Sequence, residues 1–434
     1  AARRGRSPLA RPDGVAAAAE AAADAAPPKP KKVRISAFDS IRFFLITYIV
    51  CGHFIGFAAP SQFATNAITQ INVVVGAFFA LSGYVTAYTS TENAERAASP
   101  KLLSTPSQKW ILPRVFGYYP LHLLVLLIFS PMFLFSDVTY SGWPTALWHG
   151  LLAVTMTQAW FPMHAEVWNA PTWFLSALTF ATAAMPFALP PIAKMSKSQL
   201  KRTGFFLFLA GLLPKIAWCY DHNTWGLLEG VMSNRAMGGL LPIFNAQRFS
   251  PFMALIEVLL GVVACRVVML DGADGEEKAP KTGPMSTLLP LVGMVAVILL
   301  RATGVIALSD MLTRALIFMP LFLAFLMAAH RASVKPKVED AIVKVLSSKI
   351  LTTLGGLAFP IFVIHGPLGQ LFYKKLIATK LFGGPLNVVC GPWFFYVYLA
   401  IVLASAWVLQ KTFLSSKKVG ELSKRACGKL AEVC

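Results

Sequence analysis

The chain has 434 residues, of which 56% are hydrophobic and only 14% are charged, and its mean hydropathy is +0.61. A soluble domain cannot keep so much apolar surface from water, so this composition excludes one and indicates a polytopic membrane protein. The formal net charge is +19, but the lysines and arginines lie in short loops and tails, and no basic module with interleaved aromatic residues is present. We therefore expect membrane lipids, and not nucleic acid, as partners.

Apolar stretches of about 20 residues recur along the chain, and each is long enough to cross roughly 30 Å of hydrocarbon as a helix. They predict an all-α fold with about ten transmembrane helices. The predicted spans are residues 40–59, 68–88, 115–136, 171–193, 203–220, 250–270, 284–302, 311–330, 349–370 and 393–413. A further apolar stretch, 144–161, is short and rich in Trp, His, Thr and Gln. We expect it to be an interfacial or re-entrant piece that does not cross.

The basic loops indicate an orientation. If 144–161 does not cross, the basic segments 89–114, 194–202 and 330–337 fall on the same side as the KPKKVR that precedes the first span. The C-terminal segment SSKKVGELSKR falls there too. This arrangement satisfies the positive-inside bias, so we expect both termini on the cytosol-like side.

The two ends of the chain differ in composition from the spans. Residues 1–34 are rich in Ala, Arg and Pro and hold few apolar residues of any size, so we expect a disordered basic tail. Its first dozen residues are Arg-rich and poor in acid, as in organelle transit sequences, which suggests a processed targeting remnant and an organellar, for example plastid, membrane. The predicted domains are thus this tail, a transmembrane domain over 35–415 and a basic C-terminal tail over 416–434.

The first span, FDSIRFFLITYIVCGHFIG, carries ionisable residues. Arg42 and His53 are eleven residues apart, which in a helix places them within about 20° of one face and roughly 16 Å apart along the axis. Asp39 lies one turn before Arg42 and can pair with it. We therefore expect a stripe with an ion pair near the inner surface and an imidazole deeper in the membrane.

Charged and imidazole groups inside a membrane are costly and indicate function. An arginine near the inner surface suits the phosphates of a cytosolic ligand, and an imidazole can take a proton from a hydroxyl because its pKa lies near neutrality. This layout is typical of a transferase that uses an anionic carrier. In the alternative, Arg42 only extends to the lipid headgroups and His53 is a hydrogen-bonded packing residue.

With its Arg, ten intervening residues and His, this span resembles the opening of the membrane acyltransferase-3 family. The similarity covers about residues 37–415 and continues in order through VGAFFALSGYVTAY (75–88), KWILPRVFGYYPLHLL (109–124), TQAWFPMHAEVWNAPTWFLSAL (157–178), MALIEVLLGVVACR (253–266) and LAFPIFVIHGPL (357–368). Members of that family have about ten spans and move acyl groups, often acetyl, from acyl-CoA to hydroxyls of sugars or other acceptors. The resemblance thus implies an acyltransferase-3-like helical bundle and a membrane O-acyltransferase.

The resemblance also implies roles for particular residues. His53 would be the general base or a transient acyl carrier, with Arg42 and Asp39 beside it in the catalytic set. Acyl-CoA would be the donor substrate, its phosphates held by Arg42 and Arg114. No covalently bound cofactor and no metal ion is expected. Four residues would shape the substrate pocket: Ser82, Asn169, Trp173 and His365.

Several of these residues have structural alternatives. Arg114 and Trp173 also suit anchoring at the membrane interface, and Ser82 with Gly83 suits close packing of two helices. His365 lies in a segment with Gly355, Gly356, Pro360, Gly366 and Pro367 that should break or kink its span. Glu257 faces a span interior and needs a partner that the sequence does not identify. Four further histidines, His122, His149, His164 and His222, are interpreted as interfacial or packing residues.

Two departures from the family pattern favour a second hypothesis. Gly117 stands where the family usually has an arginine, and Leu178 stands near a place where many members have a glutamate. The alternative is a non-catalytic membrane subunit of a larger, organellar or photosynthetic complex, which binds lipids, pigments or neighbouring subunits that contact the N-terminal tail. A transporter explains broken spans but predicts sequence repeats, which are not visible.

Overall fold

The computed structural model describes residues 32–231, 237–273, 275–334 and 339–433. Within these ranges the chain is built of helices and turns, and an isolated bridge between Thr91 and Ala98 is the only β pairing. The predicted all-α fold is confirmed. The predictions for the first 31 residues, and for the second half of the 330–337 loop, lie outside the described residues.

Long helices carry the architecture. The described helices of nine or more residues are α1 (Ala37–Phe54), α2 (Gly76–Ser90), α3 (Ser107–Val115), α4 (Tyr119–Thr155), α5 (Trp173–Ala193), α6 (Lys197–His222), α7 (Leu241–Phe249), α8 (Pro251–Met269), α9 (Leu288–Ala302), α10 (Met319–Val334), α11 (Ala358–Tyr373), α12 (Phe394–Leu409) and α13 (Lys417–Val433). Shorter helices join them, among them Gln62–Ile68, Ile71–Val74, Pro100–Ser104, Asp310–Thr313, Ala341–Leu346, Lys349–Gly355, Lys375–Phe382 and Leu386–Val389.

The helices agree with a protein that crosses a membrane many times. Among the described residues, eight helices are long and apolar enough to cross, and a ninth span results if Lys349–Gly355 and α11 act together across a 51° bend. The predicted span 284–302 is the exception in length, because only the 15 residues of α9 are helical there. Each of the ten predicted spans thus contains a helix, and the Gly- and Pro-rich segment 355–367 is bent as expected.

The stretch 144–161 does not form a helix of its own. Residues 143–155 are the second half of α4, and Gly142, with φ +80° and ψ 170°, breaks α4 just before them. This half folds back on the first, because the His122 ring Nε2 donates to the Ala153 carbonyl at 2.9 Å. Met156, also with positive φ, ends it. Its position relative to the two membrane surfaces stays a prediction.

The centre of the bundle is the close contact of α2 with α8. A Cβ atom on Gly83 would lie 1.9 Å from the Val258 carbonyl oxygen, and one on Gly261 would lie 1.9 Å from that of Ala80. Only glycine allows two backbones to approach so closely, and small residues have this role in membrane helix pairs. The close packing of two helices, which is the structural alternative for Ser82 with Gly83, is therefore present at Gly83.

Next to this contact lies the partner that Glu257 requires. The Arg314 Nε donates to Glu257 Oε1 at 2.7 Å, and its Nη2 donates to the other carboxylate oxygen. Both residues are buried, and a forked arginine–carboxylate pair is the arrangement that best offsets the cost of burying two charges. The pair rests against Gly76, where a Cβ would come within 2.5 Å of the Arg314 Nε.

Candidate active site

Arg42 and His53 line one cavity, as their spacing along α1 requires. The cavity has a volume of about 220 Å³ and its wall is mostly apolar. Its other lining residues are Ile49, Ile71, Asn72, Val75, Phe78, Tyr118, Glu166, Pro171, Trp173, Phe174, Leu175, Leu178, Arg248, Ala358, Phe359 and Phe362. More than a third of the His53 surface is accessible, so the imidazole is open to whatever enters the cavity.

Behind His53, away from the cavity wall, lies His365. The His53 Nδ1 is 3.1 Å from the His365 Nε2, and the His365 Nδ1 is 3.1 Å from the Ile361 carbonyl oxygen. A carbonyl can only accept, so the proton of a neutral His365 is on Nδ1 and its Nε2 is an acceptor. His53 must then donate from Nδ1, which leaves its own Nε2 without a proton. That is the protonation state of a general base.

Pro367 and Asn169 together fix the helix that carries His365. Pro367 has no N–H, so the carbonyl of Val363, four residues earlier, has no partner within α11. The Asn169 Nδ2 donates to that carbonyl at 2.8 Å, and Asn169 is completely buried. The Tyr398 hydroxyl donates to the His365 carbonyl at 3.0 Å. Asn169 therefore lies beside α11 as a support, and it is not among the residues that line the cavity.

At the other end of the stripe, Arg42 pairs with Asp39. The Arg42 Nη1 donates to Asp39 Oδ1 at 2.8 Å, with 33% of the arginine side chain and 18% of the aspartate side chain exposed. The chain is tightly packed here, because a Cβ on Gly355 would lie 2.3 Å from the Asp39 carbonyl oxygen. The pair keeps the guanidinium in the cavity wall.

The other predicted site residues lie in different places. Trp173 lines the cavity and packs edge-on against Phe249. The Arg114 guanidinium lies 3.5 Å over the Trp110 ring and donates to the Trp110 carbonyl. The Ser82 hydroxyl donates to the Phe78 carbonyl, one turn earlier in its helix. Neither Arg114 nor Ser82 lines the cavity, so their expected contacts with substrate stay predictions.

Sequence reasoning missed a second charged pair in the cavity wall. Arg248, on α7, donates from Nη2 to Glu166 Oε1, and its guanidinium lies 4.2 Å from the Phe249 ring centroid. The two partners are 82 positions apart in the chain, and α7 is a short helix that precedes a span. No local pattern links them, which is why sequence alone did not identify the pair.

His149 and His164, which the sequence indicates as interfacial or packing residues, have polar partners that the sequence does not identify. The His149 Nδ1 is 2.8 Å from Asp137 Oδ2, and its Nε2 is 3.0 Å from the His164 Nδ1. Burial and the neighbouring His149 lower the pKa of His164. Asp137 and His149 line a second cavity of about 430 Å³, to which Glu166 also contributes. The described residues hold no group of three or more His, Cys, Asp or Glu that could bind a metal ion.

The two departures from the family pattern differ in their surroundings. Leu178 lines the cavity, so an apolar side chain stands near the place where many members of the family that the sequence resembles have a glutamate. Gly117 lies instead in a groove between α3 and α13, away from His53.

Comparison with known proteins agrees with this structure. The family model described as an acyltransferase domain, of the acyltransferase-3 type, matches residues 35–411. No curated protein and no solved structure matches the chain. The match covers most of the 434 residues, including the helices that hold both histidines and Arg42. The chain therefore belongs to the acyltransferase-3 family of membrane acyltransferases.

Proposed function

We propose that this protein is an O-acyltransferase that moves an acyl group, acetyl in the first instance, from acyl-CoA to the hydroxyl of an acceptor. One observation carries the proposal. An imidazole with a free acceptor nitrogen and a guanidinium line the same apolar cavity inside a helical bundle. Such a pair supplies a base and an anion site on one face of one helix.

The chemical step uses His53 as the base. Its Nε2 takes the proton from the acceptor hydroxyl while the hydroxyl oxygen attacks the thioester carbonyl of the donor. The carbon–sulfur bond then breaks, and the CoA thiolate leaves and receives the proton from His53. The reaction releases one ester and one thiol and returns His53 to its starting state, so no other reactant is needed. His365 is a positioning residue, because it acts only through His53.

The donor would enter with its reactive end first. A cavity of about 220 Å³ is below the roughly 300–1,000 Å³ usual for a complete small-molecule site. It therefore suits the acyl-pantetheine end, and the nucleotide with its phosphates would stay near the mouth. Arg42, which is one-third exposed, is the cation we assign to the phosphates. Asp39 would orient it.

Binding of coenzyme A to the purified full chain in detergent tests this assignment. We expect saturable binding that weakens about tenfold or more in Arg42→Gln, because one phosphate contact with a guanidinium contributes at least that much. Arg202→Gln is the matched control, since Arg202 is an exposed arginine outside the cavity, and its affinity should equal that of the unaltered chain. Equal affinities in all three proteins would remove Arg42 from the donor site.

The non-catalytic subunit is the second candidate, and Gly117 and Leu178 favour it, because each lacks a group that the family pattern supplies. In that case the full chain would not bind coenzyme A at all. It would also co-purify with neighbouring subunits from its native, for example organellar, membrane. The acyl-CoA proposal predicts binding in the isolated chain, so the same experiment separates the two.

A further inference from the structure

The C-terminal tail, predicted only as basic, is the amphipathic helix α13. It begins three residues after the last span ends at Leu414. So short a connection obliges α13 to stay at the membrane face where that span ends. One side of α13 is held against α3: Cys427 and Ala431 are buried, and the Ser423 hydroxyl reaches the Phe116 carbonyl at 3.5 Å. The orientation of α13 about its own axis is therefore fixed by the fold.

Beside this contact runs an apolar stripe that the described part of the chain leaves uncovered. Leu422 is 64% exposed, Leu430 is 42% exposed and Val433 is 85% exposed. At 100° per residue these three residues and Ala426 lie within about 80° of one another. Leucine and valine side chains so exposed are costly in water, and their alignment indicates one continuous apolar surface.

Basic residues border the stripe on the side away from α3. Lys418, Arg425 and Lys429 fall within about 40° of each other and begin about 20° from Leu422. All three are exposed. The helix also carries Lys417 and Lys424, which face away from the stripe. Its two acids, Glu421 and Glu432, lie about 80–100° from Leu422, beyond the three basic residues. An apolar stripe with cations along its edge is the pattern of helices that lie in the membrane–water interface.

We propose that α13 lies in this interface and binds the anionic headgroups of the bilayer that the chain crosses. The apolar stripe enters the boundary of the acyl chains, and Lys418, Arg425 and Lys429 contact lipid phosphates. The occupant is lipid because α13 is attached to a span end and because the charge along its edge is positive. Such a helix makes the surroundings of α3, and of Gly117 in the groove between α3 and α13, depend on lipid composition.

An environment-sensitive fluorophore on a single cysteine tests this in the full chain. Leu422→Cys and Glu421→Cys are a matched pair, because they are adjacent and exposed but face different sides of α13. Cys51, Cys390 and Cys434 are replaced by serine in both, so that the introduced cysteine is the accessible one beside the buried Cys219, Cys265 and Cys427. The labelled proteins are placed in nanodiscs of phosphatidylcholine alone or with phosphatidylglycerol, and some discs carry a headgroup-level spin-label quencher.

We expect the label at 422 to be about twofold brighter, blue-shifted and quenched by the spin-labelled lipid, more strongly with phosphatidylglycerol. The label at 421 should stay water-like. Lys418→Gln/Lys429→Gln should remove the added effect of phosphatidylglycerol, and the charge-matched Lys417→Gln/Lys424→Gln should not. A label at 422 that is shielded but not quenched by lipid would show a protein contact and overturn the proposal. So would a water-like label at 422, or equal effects of the two charge variants.

Discussion

The Nδ1 of His53 and the Nε2 of His365 lie 3.1 Å apart, although the two residues are separated by 312 positions in the chain. The Ile361 carbonyl fixes the proton of His365 on its other nitrogen, so the direction of the bond between the two rings is determined. His53 donates to His365 and keeps a free nitrogen for the cavity. In the proposed mechanism, a neutral imidazole thus has the orienting place that a carboxylate has in many enzymes.

Replacement of His365 should show this orienting role. His365→Gln keeps an oxygen that can accept from His53, whereas His365→Leu has a similar volume and no acceptor. We expect the rate of acyl transfer to fall about 100-fold in the leucine variant and about tenfold or less in the glutamine variant. The measurement is release of free CoA thiol from acetyl-CoA by the purified protein, with water as the acceptor.

Coenzyme A affinity is the control for that comparison, because His365 does not line the cavity and neither variant should change it. Equal rates in the glutamine and leucine variants would mean that a hydrogen-bond acceptor at position 365 does not affect the activity of His53.

Asn169 should matter for stability more than for chemistry. Its amide is the partner of the Val363 carbonyl that Pro367 leaves free, and burial makes an unpaired carbonyl costly. We expect Asn169→Ala to lower the free energy of unfolding by about 1–3 kcal/mol, measured by thermal unfolding in detergent.

The matched control is Asn66→Ala. The Asn66 amide also donates to a carbonyl, that of Ala302, but at 3.3 Å and in a half-buried position. Water can replace that bond, so its loss should cost less than about 1 kcal/mol. Similar losses in the two variants would contradict the role assigned to Asn169.

Glu229 should make the stability of the protein depend on pH. Burial, and the nearby Asp310, raise the pKa of Glu229 well above its ordinary value, and one carboxylate oxygen accepts from the Met311 N–H at 3.2 Å. A carboxyl with a raised pKa binds its proton more tightly in the folded state. The contribution of Glu229 to the free energy of unfolding is therefore fully present below the ordinary pKa of a glutamate. It is lost as pH rises through the raised pKa.

Glu229→Gln cannot ionise and still offers an oxygen to Met311. We expect the unaltered chain to lose about 1 kcal/mol or more of stability between about pH 5 and about pH 8 relative to this variant. Thermal unfolding of both proteins across that range measures the difference. Parallel pH profiles would show that Glu229 does not change its protonation on folding.

The sequence alone predicts the helices and the alignment of Arg42 with His53 on one face of α1. Span length, apolar content and the Gly- and Pro-rich segment 355–367 are local properties, so the helices and the 51° bend follow from them. The spacing of Arg42 and His53 is likewise local to one helix. The partners across the bundle are not local: His365, Arg314 and Arg248 come near their partners only after helices distant in sequence pack together.

The C-terminal tail and the folded-back half of α4 differ in how far the sequence predicts them. Residues 416–434 were predicted from their charge alone, yet the apolar residues at intervals of three and four positions in LSKRACGKLAEV already indicate an amphipathic helix. In contrast, Asp137 and His149 are brought together by one turn at Gly142. The Ser141–Gly142 pair before Pro144 is a turn pattern, but it does not indicate which residues the turn brings together.

The role of His53 is tested by the rate of CoA thiol release from saturating acetyl-CoA, compared between the purified chain and His53→Gln. Coenzyme A binding is measured on the same samples. If His53 is the base, the variant should bind coenzyme A as the unaltered chain does and lose about 100-fold or more of its rate. If thiol release is unchanged in a variant that still binds coenzyme A, His53 is not the base, and the mechanism proposed for this cavity is wrong.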